Sequence, residues 1–489
     1  MGEIDRRAQE EYSIPGLVLM ENAGLKSYLF LKNSYWNGGL PKGRVVFLAG
    51  KGNNGGDAMV IARQCRLDGL DDGVIVSVGA GGSEQAQMCR KLGIPIREWP
   101  EEEARRAIAE ASFIIDGLSG TGIRGPLRKP VDEVVERANE ARATRIAVDV
   151  PSGVGDAFRP GYPAVRADIT LTMGLPKLSL YLPHARPLCG TIHVIPIGFP
   201  RPLVESESIP GELLTLDVVR RLVPPVGPDA YKNRRGTVGV FAGAVGTSGA
   251  AILSSQAAAR SRAGLVTLFI TPEAYQQASA QLGGVMVRPC SYEESTPESV
   301  GADHFTVRLV GPGWGTVPSR RKWLRGLLSA GPGVLDADGI NLLAAEAENA
   351  PALGGRWVLT PHPGELSRLC GVSRDEILTD PLPPLLETAR RLEAVVVLKS
   401  HVTFVGAPDG RYWILDGMTP SLGTGGSGDI LAGIIAGFLA GGLTAATAAC
   451  AGVLVHNRAG RRAFAEIGWF AAEDILPFVS MEARLDENE

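Results

Sequence analysis

Residues 44–69 read RVVFLAGKGNNGGDAMVIARQCRLDG. An apolar run, VVFLA, leads into GKGNNGGD, which spends four of its eight positions on glycine, and the apolar-periodic AMVIARQCRL follows. A strand that ends in a glycine-rich turn and opens a helix is how an α/β protein brings backbone N–H groups up to a phosphate. The spacing is neither a dinucleotide fingerprint nor a P-loop, so the plain glycine turn stands as the lesser alternative for the stretch by itself. It predicts a strand over 44–49 and a helix over 58–67.

Outward from there the same alternation continues. GVIVSVG (73–79) is a strand with the helix SEQAQMCRKLG behind it, then come SFIIDG, a helix over 131–141, RIAVDVPSG, ADITLTMG and GTIHVIPIG. Such alternation predicts a Rossmann-like parallel sheet with helices on both faces and ligands at the strand ends. Residues 200–228 are dense in proline and lack a sustained period, which marks a linker and a second domain from about Glu212. The expected domains are 1–211 and 212–489. Beyond the linker the alternation restarts with TVGVFAG, a helix over 250–263, LVTLFI, VRLVGPG, GVLDADG, RWVLTPH, AVVVLKS, VTFVGA and RYWILD. Residues 430–455 carry no charge and are long enough to span a bilayer. Their Gly, Ala and Thr content and the break at Gly441-Gly442 predict a pair of buried helices instead.

The totals restrict the function class. A chain of 489 residues predicts two to three domains, and a net charge of -4 without a basic stripe argues against nucleic acid as a partner. Six cysteines without C-x-x-C spacing suit free thiols in a reducing compartment, with no disulfide framework and no zinc site. The start, MGEIDRRAQEEYSIPG, has no apolar segment of a signal peptide. A cytoplasmic protein with no membrane partner, assembled as a homo-oligomer, is the expected setting.

Three strand ends of the first domain carry polar residues: GNNGGD, DGLSGTGIRGP and VDVPSGV. Parallel strands end along one edge, so Asn54, Asp116 and Ser152 can converge into an oxygen-only set suited to a hard cation. An Asx-turn would account for one such loop taken alone, and accounts less well for three on the same edge. Asp149 follows an apolar strand and precedes Pro151; partial burial there would raise its pKa and suit it to act as a general base, or it caps the next turn.

The second domain carries GTGGSGDILAGIIAG over 423–437. Backbone N–H groups of Gly426, Ser427 and Gly428 would form an anion hole at a helix N-terminus, with Asp429 beside it to take a proton from a hydroxyl. This is phosphoryl-transfer equipment of a non-P-loop kind. Lys399 ends a buried strand and would counter phosphate charge. In TPHPGE, His362 is held in a stiff turn and could hydrogen-bond a substrate, and Glu365 could organise a magnesium through water. VGPGWG and DADGIN add polar turns at two further strand ends.

GNNGGD, DGLSGTGIRGP and VDVPSG in this order resemble the YjeF N-terminal, or NAD(P)H-hydrate epimerase, family. YKNRRGTVGVFAGAVGTSGAA, VGPGWG, VLDADGINLL, TPHPGE, VLKSHVT and GTGGSGD resemble the NAD(P)H-hydrate dehydratase family, a branch of the ribokinase-like fold. Together they cover nearly the whole chain in the order of the fused repair enzymes. The resemblance implies epimerisation of the R and S hydrates of NADH and NADPH (NADHX and NADPHX), and dehydration of the S form with ADP, or possibly ATP, as co-substrate and magnesium. It implies that Asn53, Asn54, Gly55, Gly56, Asp57 and Gly120, Thr121, Gly122, Ile123, Arg124, Gly125, Pro126 bind the hydrate beside a catalytic Asp149. Asn54, Asp116 and Ser152 would hold a potassium ion. In the second domain Ala250, Gly313, His362 and a catalytic Asp429 would face the hydrate, and Lys399, Ser400, His401, Val402, Thr403 and Gly428 the nucleotide.

Two positions depart from the pattern. Ala58 stands where a glycine commonly follows GNNGGD, and Ser400-His401 where the family commonly continues lysine with Gly-Ala. The second change bears on the choice between ADP and ATP. The same Asp429 and anion hole would also serve a ribokinase-type small-molecule kinase with a non-catalytic N-terminal binding domain, which would accumulate a stable phosphorylated product.

Overall fold

The structure, a computed structural model, describes residues 2–205, 209–346 and 350–485. The chain divides between Ile209 and Pro210 into two compact units. The middle of the expected linker, residues 206–208, lies outside the described residues.

In the first unit the strands are β1 (Val45–Ala49), β2 (Gly73–Ser77), β3 (Ile96–Glu98), β4 (Phe113–Gly117), β5 (Thr144–Val148), β6 (Ile169–Met173) and β7 (Thr191–Ile195). They form one parallel sheet in the order β3-β2-β1-β4-β5-β6-β7. The helices are α1 (Gly2–Tyr12), α2 (Gly16–Ser34), α3 (Asn53–Leu67), α4 (Glu84–Lys91), α5 (Glu102–Ala109), α6 (Val131–Glu140) and the short α7 (Arg201–Val204). Side-chain alternation divides the strands between two cores. Val45, Phe47 and Ala49 join the α2–α3 side, while Val46 and Leu48 join the α5–α6 side.

The order reverses between β1 and β4, where α/β sheets open a crevice at their carboxyl ends. Here α3 begins at Asn53, five residues before the sequence-based start at 58: the asparagines and glycines are its first turn, not a loop in front of it. Backbones meet at this point without room for a Cβ. One on Gly50 would lie 1.9 Å from Leu118 O, one on Gly55 2.0 Å from Gly50 O, and one on Gly117 2.5 Å from Asn54 O.

In the second unit the strands are β8 (Gly211–Leu213), β9 (Thr237–Phe241), β10 (Leu265–Ile270), β11 (Met286–Pro289), β12 (Val307–Val310), β13 (Gly333–Leu335), β14 (Trp357–Leu359), β15 (Val395–Leu398), β16 (Val402–Gly406) and β17 (Tyr412–Asp416). The sheet runs β11-β10-β9-β12-β13-β14-β15-β16-β17-β8. It is parallel from β11 to β15; β16 is antiparallel to both neighbours, and β8 pairs parallel with β17. The sequence reading missed β3, β8 and β11, each only three or four residues long and therefore without a readable period.

The helices of this unit are α8 (Leu216–Leu222), α9 (Ser248–Arg260), α10 (Pro272–Gln281), α11 (Pro318–Ala330), α12 (Asp338–Ala344), α13 (Pro363–Cys370), α14 (Arg374–Thr379), α15 (Leu382–Leu392), α16 (Ser427–Ala440), α17 (Ala445–Ile467) and α18 (Leu476–Glu482). The uncharged stretch is α16 and the start of α17, broken at Gly441-Gly442, where Gly442 turns at φ +90°. Both helices pack in the main core, and no helix among the described residues is long and apolar enough to cross a membrane.

Small residues let α16 lie close against α9. A Cβ on Gly433 would stand 2.2 Å from Ser254 O and 2.8 Å from Ala257 Cβ. Gly433→Ala is therefore expected to force the helices apart and cost about 1–3 kcal/mol. Urea unfolding followed by tryptophan fluorescence would read this as a lowered midpoint, and an unchanged midpoint would contradict the packing argument.

Candidate functional sites

The first site lies at the β1/β4 switch. Asn54, in the first turn of α3, donates from Nδ2 to Ser119 O (2.9 Å) and Val148 O (2.7 Å), joining the ends of β4 and β5. Asp116 is fully buried; its Oδ1 accepts from Ser152 Oγ (2.6 Å) and Leu118 N (3.3 Å), and its Oδ2 from Ser152 N (2.8 Å). Ser152 Oγ also accepts from Ser119 N at 2.9 Å. Burial pushes the Asp116 carboxyl up to about 6 against these hydrogen bonds. Asn54, Asp116 and Ser152 thus come together, and their oxygens with nearby carbonyls form a hard donor set around a carboxylate that has only neutral hydrogen-bond partners.

The remaining first-unit residues surround this cluster unevenly. Gly120 lies against Asn54, where an added Cβ would meet Oδ1 at 3.2 Å. Thr121, Ile123 and Gly125 are half-buried, while Gly122, Arg124, Pro126 and Asn53 are exposed. Gly56 adjoins Met20, and Ala58 is buried with its methyl against Gly117. The alanine that departs from the family pattern fits there without displacing Asn54.

Asp149 closes β5 in the left-handed region, φ +68°, a conformation uncommon for a residue with a side chain and often found at functional sites. Its Oδ1 accepts from Met173 N (3.1 Å) and from Lys177 Nζ (2.5 Å), and Lys177 also donates to Met173 O (2.5 Å). The sequence reading expected Asp149 to be partly buried, as a general base or as a cap of the next turn. In the fold a buried lysine accompanies it, and among the described residues Asp57 is the carboxyl left without a partner. Burial, followed by the charges of Asp149 and Asp5, pushes Asp57 well above the ordinary carboxylate range, with Lys177 opposing. Lys177 and Asp5 carried no motif signal, since each is a single charge in an ordinary turn or helix.

The second site gathers the ends of β9, β12, β13, β14 and β15. Gly313, at φ +56°, sits against α9: a Cβ there would be 2.7 Å from Thr247 O and 3.2 Å from Ala250 Cβ. Thr247 Oγ1 donates to Gly313 O at 2.7 Å, so Ala250 and Gly313 are neighbours. Asp336 Oδ1 accepts from Lys399 Nζ (2.7 Å) and Thr360 Oγ1 (2.7 Å). Burial draws the Lys399 ammonium down, but Asp336, Glu365 and Asp429 around it raise it overall. A Cβ on Gly428 would lie 3.4 Å from Lys399 Nζ, which sets the lysine over the first turn of α16.

Asp429 belongs to that turn. Burial first, then Asp336 and other nearby carboxylates, push it up to about 7, with Lys399 opposing. A carboxyl there is poised near neutrality for proton transfer. Of the expected anion-hole amides, Ser427 N turns back to Thr424 O (3.3 Å). The amides of the helix's first turn, Gly428 and Asp429, have no acceptor one turn back and are the ones a phosphate would meet. Ser427 Oγ is bonded to His456 Nε2 (2.9 Å), a half-buried imidazole that desolvation pushes down to about 4 and hence keeps neutral.

His362 is both a turn residue and available to a ligand. Its Nδ1 accepts from Gly364 N (3.0 Å) and Glu365 N (3.3 Å), capping α13, so the ring proton is on Nε2 and the half-exposed ring can donate it. Burial lowers its pKa, keeping it neutral. Glu365 returns Oε2 to His362 N (2.8 Å) as the other half of the capping box, a structural duty the sequence reading had not assigned to it. Ser400 Oγ meets His401 Nδ1 (3.2 Å), and Thr403 Oγ1 donates to Ser400 O (3.2 Å). Val402 is fully buried in β16, so this position offers only its backbone to a ligand. Asp336, Thr360 and His456 are the residues the motif reading left unassigned; Asp336 was visible only as a polar turn.

Fold and sites together define a Rossmann-like unit joined to a ribokinase-like unit, each with its polar residues at the strand ends of a parallel sheet. Two family models match: YjeF-related protein N-terminus over residues 16–179, and NAD(P)H-hydrate dehydratase over residues 238–478. The protein named bifunctional NAD(P)H-hydrate repair enzyme Nnr of Moorella thermoacetica is 33% identical over 513 residues, covering 100% of this chain and 96% of its own. That of Coxiella burnetii is 34% identical over 88% of each chain. Among solved structures, a ribokinase-like superfamily protein from Enterococcus faecalis is 26% identical with a TM-score of 0.50, covering 56% of this chain and 95% of its own. The chain belongs to the family of bifunctional NAD(P)H-hydrate repair enzymes.

The raised carboxyl of Asp429 has a consequence for stability. Between its unfolded value near 4 and about 7 the folded state binds the extra proton, so stability falls as pH rises through that window and levels off above it. Asp429→Asn is expected to be more stable than the parent chain at pH 8, with the difference shrinking toward pH 4. Thermal melts of both proteins across this range would check it.

Proposed function

We propose that the chain repairs hydrated NADH and NADPH in two steps. The first unit interconverts the R and S hydrates, and the second dehydrates the S hydrate at the expense of ADP, releasing AMP and phosphate. The observation that carries this reading is Asp429, held near neutrality beside Lys399 and the open amides of α16. That set can deprotonate a hydroxyl and hold the phosphoryl group placed on it.

The chemistry follows from the leaving group. Hydroxide leaves poorly, but a phosphorylated hydroxyl leaves readily when the ring nitrogen pushes it out, and loss of a proton from the adjacent carbon restores the dihydropyridine. Asp429 takes the hydroxyl proton, Lys399 and the Gly428 amide meet the transferring phosphoryl group, and His362 Nε2–H, Ala250 and Gly313 face the hydrate. Residues Lys399 to Thr403 line the nucleotide side, where Ser400-His401 leaves the choice of ADP over ATP to be measured. Asp336 and Glu365 are engaged with Lys399, Thr360 and His362. No cluster of three or more acidic, histidine or cysteine side chains among the described residues could hold a metal ion, so magnesium would enter with the nucleotide phosphates.

In the first unit Asn53 to Asp57 and Gly120 to Pro126 hold the hydrate beside Asp149. Asn54, Asp116 and Ser152 fit a potassium ion: the donors are all oxygen and the buried Asp116 has no cationic partner among the described residues. Such an ion would neutralise that carboxylate. A cytoplasmic setting, which suits the six free thiols, and a homo-oligomer complete the reading.

The test is to incubate the purified chain with mixed R and S hydrates, magnesium, potassium and either ADP or ATP, and to follow recovery of the dihydropyridine absorbance. Both epimers should be recovered with one nucleotide. Asp429→Ala should lose about 10²–10⁴-fold on all substrate, whereas Asp149→Ala should slow only the R epimer. No recovery with either nucleotide, or a stable phosphorylated product, would reject the assignment.

A further inference from the structure

Epimerisation demands more of the first site than one base can supply. Adding water to the ring's enamine double bond places the hydroxyl on the carbon bonded to the ring nitrogen. Inverting that carbon by exchange of its oxygen has the oxygen leave from one face and return on the other, with a proton given at departure and another taken on return. Asp149 presents one carboxylate, whose Oδ1 is occupied by Met173 N and Lys177 Nζ, leaving Oδ2 for a water or hydroxyl.

A second carboxyl lies on α3, three residues past Asn54, whose Nδ2 bonds the carbonyl of Val148 (2.7 Å) immediately before Asp149. Asp57, on α3, is only 7% exposed and has no hydrogen-bond donor or ion-pair partner among the described residues. The charged groups that act on it are Asp149 and Lys177, from the loops after β5 and β6, and Asp5, from α1. Of the other charges nearby, Glu21 of α2 pairs with Arg63 of α3 (2.5 Å) and Asp116 of β4 is bonded to Ser152; Gln85 of α4 adjoins Gly56, and Lys26 of α2 and Glu84, Arg90 and Lys91 of α4 are not among the charges that act on Asp57. These carboxyls do not form a metal cage among the described residues. A nine-tenths buried carboxyl without a donor, next to an ion-paired one, is the arrangement of an acid and a base rather than of two bases.

We propose that epimerisation is carried by this pair, with Asp57 giving a proton to the departing hydroxyl, Asp149 taking one from the incoming water, and Asp5 acting as a positioning residue through Asp57. The proposal rests on the epimerase reading above and extends it. The carbon–oxygen bond breaks as the oxygen takes the Asp57 proton and leaves as water, while the ring nitrogen's lone pair forms a carbon–nitrogen double bond. Water then adds to the other face, its oxygen bonding the carbon and its spare proton passing to Asp149. The reverse reaction uses the two carboxyls in exchanged roles, and proton exchange with solvent resets them.

Asp5 gives this scheme a signature. It lies on α1, ahead of residue 16 where the family match begins, and its carboxyl is raised by burial and by Asp149, against Lys177. Its charge helps keep the proton on Asp57. Neutralising Asp5 should therefore let Asp57 lose its proton at lower pH.

The full chain provides its own control, because dehydration of purified S hydrate reports the second unit alone. The exchange of R and S hydrates would be followed by chromatography, without nucleotide, from pH 5 to 9. Asp57→Asn is expected to slow exchange by about 10²–10³-fold while S-hydrate dehydration persists. Asp5→Asn should move the alkaline fall of the exchange rate to lower pH, a shift that a loss of packing alone would not produce. Exchange by Asp57→Asn within tenfold of the parent, a change confined to KM, or an unmoved alkaline limb in Asp5→Asn would overturn the proposal. Should Asp57→Asn fail to fold, the Asp5→Asn profile still decides. Absence of exchange in the parent chain would instead reject the epimerase reading itself.

Discussion

Backbone approaching backbone, at distances that exclude a Cβ, is the constraint on which both sites depend. In the first unit Gly50, Gly55 and Gly117 bring the ends of β1 and β4 and the start of α3 together. In the second, a Cβ on Gly311 would lie 1.9 Å from Asp336 O, and Gly313 is pressed against Thr247 and α9. The first-unit contacts and that of Gly313 fall where the strand order reverses, and that of Gly311 one strand along, so the closest packing of the fold adjoins the opening of its crevice. The glycines serve the architecture first, and the polar groups they release at the strand ends become available to a ligand.

A shared electrostatic arrangement follows. Each site pairs one lysine with one carboxylate, the buried Lys177 with Asp149 and the half-buried Lys399 with Asp336, and keeps a further carboxyl nearby that has no partner among the described residues, Asp57 or Asp429. Burying the ion pair is tolerable because the charges compensate. The unpaired carboxyl, short of water and close to like charge, holds its proton to higher pH. The two units reach this arrangement from unrelated elements: a loop after β6 supplies the lysine in one, and the end of β15 supplies it in the other.

Helix termini supply the rest of the chemistry. Both α3 and α16 open inside a glycine-rich segment, so their first-turn amides lie at the sheet edge. In α3 this turn also carries the cation-site candidate Asn54, and Asp57 follows within the next turn. In α16 it carries Gly428 and Asp429 directly beneath Lys399. A capping box at His362 performs a related duty: by spending Nδ1 on the helix amides, it fixes the tautomer that faces the site.

The sequence by itself determined the α/β alternation, the division near residue 210, the buried character of the α16–α17 stretch and the polar strand ends, because each depends on local period or on glycine and proline. It also carried the family resemblance in motifs whose order is read directly from the chain. The tertiary structure decided what no period encodes: the three-to-four-residue strands β3, β8 and β11, the start of α3 within GNNGGD, and the partners of each carboxylate. Lys177 is 28 residues from Asp149 and Asp5 is 52 from Asp57, by their positions in the chain. A charge surrounded by unremarkable neighbours gives no local sign of what it will meet, and only the folded sheet edge, which gathers distant loops, sets which carboxyl is paired and which keeps its proton.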